Sequence, residues 1–247
     1  MPKKKPAGDD SPDAALVALF HAIVARDADK ARRLLAASPS LATQALGVGA
    51  TRKSATPYYF EAIAHYVYAG DTALHVAAAA YETAIAKALL AKGAQPGARN
   101  RRGAEPLHYA ADGAPGSQTW NPAAQQAVVS LLIEAGADPN STDKSGVAPL
   151  HRAVRTRCAA AVGALLAGDA DPRRKNKSGS TPLHLSVQNT GRGGSGSAPA
   201  QQQQKEIIRL LQQHGARLED RDARGKTVPQ CAASVCIAEW LQGPGSP

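Results

Sequence analysis

The sequence predicts an all-α solenoid, a row of similar helix pairs stacked side by side. A phrase similar to Thr-Pro-Leu-His recurs at residues 72–75, 105–108, 148–151 and 181–184, with a degraded copy at 227–230. The glycine that opens each copy stands at Gly70, Gly103, Gly146, Gly179 and Gly225, so the steps are 33, 43, 33 and 46 residues. Self-similarity at a fixed period indicates one unit repeated along the chain, each copy burying its apolar face against the next.

The period of 33 and the Thr-Pro-Leu-His phrase resemble those of ankyrin repeats, over roughly residues 70–241. The resemblance implies helix-turn-helix repeats joined by β-hairpin-like fingers, with a helical cap at each end. It also implies that the motif histidines hydrogen-bond within the finger turns, and that partners dock on the fingers and first helices, on the concave side. We therefore expect a binding module and not an enzyme.

The chain divides into a tail, a cap, four repeats and a second cap. Residues 1–10 are polar and rich in Pro, Lys and Asp, so we expect them to be disordered. Residues 11–69 are expected to form an N-terminal helical cap and lead-in, with helices starting at Ser11, Asp27 and Thr56. The repeats occupy residues 70–102, 103–145, 146–178 and 179–224, and a truncated cap repeat and tail occupy residues 225–247.

An aromatic cluster at residues 58–68 lies just before the first repeat. We expect it to pack against that repeat, because Tyr and Phe bury large areas. A binding hot spot is the alternative interpretation.

Each repeat contains two predicted helices. The first begins at Thr or its substitute, carries Pro in its first turn, and presents a small residue to its neighbour: Ala77, Ala110, Ala153 or Ser186. The second carries the expected inter-repeat core: Ile85, Leu89, Leu90, Val128, Leu132, Ile133, Val162, Leu165, Leu166, Ile208, Leu210 and Leu211. Second helices end at Gly93, Gly136 and Gly215, but Asp169 holds this position in the third repeat, so we expect a strained turn there.

The two longer steps predict inserted loops between paired helices, at residues 112–121 and 188–204. Loops on a rigid scaffold often carry function, so the two loops could act together on a ligand. Insertion tolerated at an exposed turn is the alternative. Trp120 is the candidate anchor in the first loop, because Trp is frequent at interfaces.

Composition favours a reduced, cytoplasmic protein. The three cysteines, Cys158, Cys231 and Cys236, are too few and too unevenly spaced for a disulfide framework or a zinc site. We expect no signal peptide and no membrane association, since the apolar runs fall far short of the ~20 residues that cross a bilayer. The alanine-rich composition indicates a GC-rich bacterial genome, and a monomer is expected.

No pattern predicts a catalytic, metal or cofactor site. The motif histidines His75, His108, His151 and His184 sit on helices ~8–10 Å apart, whereas zinc ligands lie ~2 Å from one ion, so they cannot converge. Gly191, Gly193 and Gly196 match the spacing of a dinucleotide fingerprint but lack the flanking strand and helix of a βαβ unit. A flexible linker is favoured there, with an anion nest that includes Arg192 as the alternative.

Positive charge gives the main functional prediction. The net charge is +9, and residues 144–177 hold eight basic residues against two acidic ones, a net +6. We predict that a partner binds these residues: Arg101, Arg102, Lys144, Arg155, Lys177, Arg224, Lys226 and Trp120. A field of this sign attracts acidic partners, so an acidic protein segment is expected.

Two alternatives stay open at this point. Nucleic acid or another anionic ligand would also respond to the basic patch of the third repeat, although interleaved stacking aromatics and a groove-reading helix are not visible. A regulator or enzyme subunit that uses the two inserted loops is the other.

Overall fold

The computed structural model describes residues 13–113, 120–189 and 197–241. The predicted disordered tail, the cap at Ser11, the glycine-rich stretch 191–196 and residues 242–247 lie outside the described residues. The side chains of Val235 and Cys236 lie outside them as well.

The N-terminal cap is a helix pair, α1 (Ala14–Val24) and α2 (Ala28–Ala37). Asp27 caps α2 as predicted, since its Oδ1 accepts the amide of Lys30 at 2.8 Å. The buried apolar face of α1 consists of Leu16, Leu19, Phe20 and Ile23. This face packs against α2 and the first repeat, so the pair closes one end of the stack.

The lead-in differs from the predicted third helix. Thr56–Tyr58 forms a single 3-10 turn, and β1 (Tyr59–Phe60) then pairs antiparallel with β2 (His65–Tyr66) around a second 3-10 turn at Glu61–Ile63. Aromatic residues favour extended backbone, which explains why a Thr-Pro helix start does not continue here. We call residues 59–66 the lead-in hairpin.

The aromatic side chains of this hairpin are divided between core and surface. Phe60 is buried edge-to-face against Phe20 of α1, with ring centroids 6.4 Å apart. Tyr59 and Tyr66 instead contact each other with ring centroids 4.7 Å apart and ring planes tilted by 46°, and both stay exposed. The prediction that the whole cluster packs against the first repeat is therefore wrong for this tyrosine pair, because the antiparallel strands direct it outward.

Four helix pairs follow, one for each predicted repeat. The first helices are α3 (Ala73–Ala79), α5 (Pro106–Ala111), α7 (Pro149–Arg155) and α9 (Pro182–Ser186). The second helices are α4 (Thr83–Ala91), α6 (Pro122–Glu134), α8 (Ala159–Ala167) and α10 (Ala198–Gln213). First helices pack on first helices and second on second, so the stack has two layers and the predicted all-α solenoid is confirmed.

The predicted core residues lie between these layers. The small first-helix residues are all buried: Ala77, Ala110, Ala153 and Ser186. On the second helices, the predicted rows are buried, except for Leu90, Ile133 and Leu210, which are partly buried and pack against the core. Small side chains let neighbouring helices approach closely, so a core with few aromatic residues can still be dense.

The second predicted loop is shorter than expected. Residues 198–204 were assigned to it, but α10 begins at Ala198 and includes the four glutamines. Pro199 suits a first helical turn, and glutamine has good helix propensity. Gln204 is also buried and donates from Nε2 to the carbonyl of Ser186 at 2.7 Å, so these turns are anchored to the first helix.

A 3-10 turn and one short helix follow the fourth helix pair, in the segment predicted as the C-terminal cap. Pro229–Cys231 forms a 3-10 turn and α11 (Val235–Trp240) follows. Gln230 takes the role of the motif histidine, since its Oε1 accepts the amide of Thr227 at 2.9 Å.

Candidate partner-binding surface

Each finger tip is a tight turn held by one polar side chain and one glycine. Asn100 Oδ1 accepts the amides of Arg102 and Ala104 at 2.9 and 3.1 Å. The same pair of bonds is made in the next fingers by Asp143, Asn176 and Asp222. The glycine has a positive φ, 71° at Gly146, which a side chain would disfavour.

Backbone hydrogen bonds connect neighbouring finger tips in one row. The donors and acceptors are Arg101 N to Ala69 O at 2.7 Å, Lys144 N to Arg102 O at 2.9 Å, Lys177 N to Ser145 O at 3.3 Å, and Ala223 N to Ser178 O at 3.1 Å. Arg101, Lys144 and Lys177 therefore occupy equivalent positions. We call the exposed cations along these tips the finger row: Arg101, Arg102, Lys144, Lys177, Arg224 and Lys226.

The motif histidines connect each repeat to the next. In the second repeat, His108 Nδ1 accepts the amide of Glu105 at 3.1 Å, and Nε2 lies 3.0 Å from the carbonyl of Val147 in the third repeat. The same pair of contacts is made by His75, His151 and His184. Because Nδ1 accepts, Nε2 carries the proton and donates. The structural role is confirmed, and it includes a link between repeats that the sequence did not predict.

Burial keeps three of these imidazoles neutral, those of His75, His108 and His151. It lowers the pKa of His75 and of His151 below the usual value, and it lowers the pKa of His108 to about 3, with the nearby Arg152 cation adding to the effect. Among the described residues, no group of His, Cys, Asp or Glu side chains could hold a metal ion. The histidines are therefore structural groups.

Most predicted binding residues lie on this surface with their charges free. Lys144 and Lys177 are exposed, and their side-chain amines make no hydrogen bond or ion pair within the described part of the chain. Arg155, at the end of α7, is likewise exposed and without such a partner there. These cations can therefore interact with a ligand without breaking internal bonds.

Arg101 and Arg102 are partly engaged by the lead-in. Both guanidinium groups lie over the ring of Tyr68, at 5.3 and 5.1 Å from its centroid. Arg101 also donates to the carbonyl of Ala50, and Arg102 donates to the Tyr68 hydroxyl at 3.2 Å. Their positions are thus fixed before any partner arrives.

The structure corrects the predicted basic patch of the third repeat. Arg152 and Arg157 are buried, and Arg152 donates to both Asp112 and Asp143, at 2.8 and 3.1 Å. Arg173 is exposed but pairs with Asp220 through two hydrogen bonds. The free positive surface is therefore smaller than the net +6 counted from the sequence. It consists of Lys144, Arg155, Arg174, Lys175 and Lys177.

Trp120 is half-buried and helps to close the second repeat. Its Nε1 donates to Gln125 Oε1 at 2.9 Å, and its ring packs against the core. It also lines a cavity of about 390 Å³ with Tyr81 and Asp112, beside the lead-in hairpin. The side chain is thus only partly available to a partner.

The lead-in hairpin also belongs to this surface, although residues 58–68 were expected to pack against the first repeat, with a binding hot spot only as the alternative. His65 packs on Tyr109 of α5, with ring centroids 4.3 Å apart, so the hairpin lies across the first helices. The many aromatic residues at positions 58–68 were the sequence feature that could have predicted this. The segment was instead predicted to be a helix that starts at Thr56, so its two strands were not expected.

The described cysteines offer no nucleophile. Cys158 is fully buried, and burial raises the pKa of its thiol to about 11. Burial also raises the pKa of the Cys231 thiol. Both thiols therefore stay protonated at neutral pH.

Within the described residues, no helix combines the length and the apolar character needed to cross a bilayer.

Comparison with known proteins agrees with this geometry. A family model described as ankyrin repeats (3 copies) matches residues 121–195, and a single ankyrin repeat model matches residues 69–101. A search of the curated proteins gives no match. Ankyrin repeats are generally protein–protein interaction modules, typically non-enzymatic scaffolds. The matched stretches are thus similar to ankyrin repeats, and the helix pairs that contain them stack into an all-α solenoid.

Proposed function

We propose that this protein captures an acidic segment of a partner protein through the finger row and the adjoining first helices. The observation that carries the proposal is the row itself, in which Arg101, Lys144 and Lys177 are equivalent cations. Their backbones are held at fixed spacing by hydrogen bonds between fingers. Because the finger backbones are already ordered, only the side chains lose entropy on binding, which favours a complementary extended ligand.

At the two central fingers, the charged groups of the row take no part in holding the fold together. The stem of Lys144 packs beside Gly103 and that of Lys177 beside Gly146, while their amines make no hydrogen bond or ion pair with any described residue. Such charges increase association rates and contribute to specificity, and both effects weaken with salt.

The test is affinity capture from native lysate with the variant Lys144→Glu/Lys177→Glu. We expect the wild type to retain a partner that the variant loses, with unchanged circular dichroism. Lys87→Glu/Lys205→Glu is the matched control, because it makes the same charge change at exposed positions of α4 and α10.

The control should retain the partner. If both variants lose the partner equally, the effect comes from net charge alone, and the proposal that the partner binds the finger row is wrong. Capture that disappears entirely after nuclease treatment would favour nucleic acid over an acidic protein.

A further inference from the structure

The lead-in hairpin encloses a small cleft against the first helices of the second and third repeats. The cleft has a volume of about 240 Å³. Its lining includes Tyr66, Tyr68, Arg102, Asp112, Arg152 and Arg155. We call it the arginine cleft. Its hairpin wall is held in place by the contact of His65 with Tyr109 and by the hydrogen bond from Val67 N to Tyr58 O at 2.9 Å.

Most polar groups at the base of the cleft already have partners. Arg152 is shared between Asp112 and Asp143, although its Nε makes no hydrogen bond, and Asn100 Nδ2 donates to Asp71 at 2.8 Å and to the Tyr109 hydroxyl at 3.0 Å. The base is therefore a fixed scaffold in which one arginine faces three aspartates, so it adds no net positive charge. Binding of an acidic group has to come from the rim.

The rim of the cleft carries two cations without a described acidic partner. Arg102 is held by the Tyr68 hydroxyl and ring, which leave part of its guanidinium fork free. Arg155 makes no hydrogen bond or ion pair with any described residue. Guanidinium groups bind carboxylates with good geometry, so the rim favours a planar anionic group.

Exposed apolar surface lies beside the same cleft. The large hydrophobic side chains that stay exposed in the described chain are Val48 at 63%, Tyr59 at 42% and Tyr66 at 39%, all of them in the lead-in. Tyr66 belongs both to the tyrosine pair and to the wall of the cleft. Tyrosine next to arginine is the usual composition of an interface hot spot.

The volume indicates what kind of group fits. Sites for small-molecule ligands usually enclose ~300–1,000 Å³, and the cleft lies below this range. It suits one inserted side chain of a larger partner that spreads over the neighbouring surface.

We propose that the arginine cleft and the Tyr59–Tyr66 pair form a two-part docking site for an acidic protein segment. A carboxylate side chain of the partner enters the cleft and binds Arg102 and Arg155, while an adjacent apolar side chain rests on the tyrosine pair. This inference rests on the proposed function and locates the recognition of the partner's acid at Arg102 and Arg155, beside the lead-in hairpin.

The test is a fluorescence-anisotropy titration of the full chain with a labelled short peptide of alternating glutamate and leucine. Glutamine–leucine and glutamate–serine peptides are the comparison probes. We expect Arg155→Ala to weaken binding of the glutamate–leucine peptide by about tenfold or more. Tyr66→Ala should weaken the same peptide and leave the glutamate–serine peptide unchanged.

Lys87→Ala removes one exposed charge from α4 and should change affinity by less than about twofold. Arg155 has no described internal partner, so its variant should keep the wild-type melting temperature. An effect of Arg155→Ala no larger than that of Lys87→Ala, or no binding of the glutamate–leucine peptide, overturns the proposal. Tighter Arg155-dependent binding of a labelled single-stranded oligonucleotide would overturn it too.

The finger variant Lys144→Glu/Lys177→Glu, titrated in parallel, separates this proposal from the proposed function. If the finger variant loses the peptide and Arg155→Ala keeps it, the finger row stands and the cleft is wrong. If Arg155→Ala loses the peptide and the finger variant keeps it, the cleft stands and the finger row is wrong.

Discussion

At the residue scale, the turn that ends each second helix is where the third repeat departs from the others. Gly93, Gly136 and Gly215 have φ values of 90°, 94° and 93°, and Asp169 has φ of 64°. The left-handed region costs a residue with a β-carbon ~1–2 kcal/mol, somewhat less for Asp. The predicted strained turn is thus confirmed in its backbone conformation.

We expect Asp169→Gly to raise the free energy of unfolding by about 0.5–1 kcal/mol, because relief of strain exceeds the added entropy of the unfolded chain. Urea denaturation measures the change. Gly136→Asp is the reverse control and should destabilise by ~1 kcal/mol or more. A β-carbon at position 136 would meet no heavy atom within 4 Å, so the substitution adds backbone strain without a steric clash. An unchanged or lower midpoint for Asp169→Gly would contradict this account.

At the element scale, the insertions are accommodated by a buried glutamine. In the first and third repeats, the carbonyls of Ala77 and Ala153 accept the backbone amides of Glu82 and Cys158, each at 2.9 Å. Where a loop is inserted between the two helices, this backbone amide lies too far away to donate to the carbonyl. In the second repeat, Gln125 Nε2 donates to the equivalent carbonyl, that of Ala110. In the fourth repeat, Gln204 Nε2 donates to the carbonyl of Ser186.

This substitution explains how two repeats tolerate long insertions. A buried carbonyl without a donor is costly, so a side-chain amide from the second helix replaces the backbone amide. The acceptors are the small residues Ala110 and Ser186, at 2.9 and 2.7 Å from the glutamine nitrogens. The second helix therefore keeps its contact with the first in spite of the loop.

We expect Gln125→Ala to destabilise the protein by about 2 kcal/mol, because it leaves the buried carbonyl of Ala110 and the indole of Trp120 without their partner. Gln126→Ala is the matched control at the next, exposed position of α6, and should change stability by less than ~0.5 kcal/mol. Guanidinium denaturation of both variants checks the difference. Similar losses for both would mean that the buried amide has no special role.

At the scale of the whole molecule, stability depends on interfaces between neighbours. His75, His108 and His151, whose pKa values burial lowers, bridge two repeats in their neutral form, as with His75 Nε2 and the carbonyl of Ala104 at 3.2 Å. Protonating Nδ1 would remove its acceptor role, so the unfolded chain, with ordinary histidine pKa values near 6.5, binds these protons more readily. Acid should therefore weaken several interfaces at once.

We expect unfolding free energy to be constant above pH 7 and to fall below pH ~6.5, by ~1.4 kcal/mol per pH unit for each buried histidine that stays neutral. For His108, with its folded pKa of about 3, the loss continues down to that pH. His108→Gln should have a smaller slope between pH 6.5 and 5, although its stability at neutral pH is lower. Denaturant titrations across this range measure the slope.

His214→Gln is the control for this pH series, because His214 is exposed on the C-terminal end of α10. Its slope should match that of the wild type. Stability that stays level from pH 7.5 to 5 would show that the bridging histidines do not couple the stack to pH.

The candidate site could be predicted only in part. The finger positions Lys144 and Lys177 follow from the repeat register, because each is set at a constant distance from a motif glycine. Arg152 and Arg155 lie on the same short helix, and both were counted in the predicted basic patch, although only Arg155 was predicted to bind a partner. The structure shows why the charge of Arg152 is not free: Asp112 and Asp143, from other parts of the chain, pair with Arg152 and leave Arg155 without an acidic partner.

The sequence by itself determined the repeated helix pairs, the finger turns and the core rows, because each depends on local spacing, capping and backbone preference. Tertiary structure alone decided which cations are neutralised and where the lead-in aromatics go. The lead-in hairpin belongs to no repeat, so its position follows from contacts with Phe20 and Tyr109, which lie far from it in the chain. Periodicity predicts what recurs; the fate of a segment that occurs once depends on packing between distant residues.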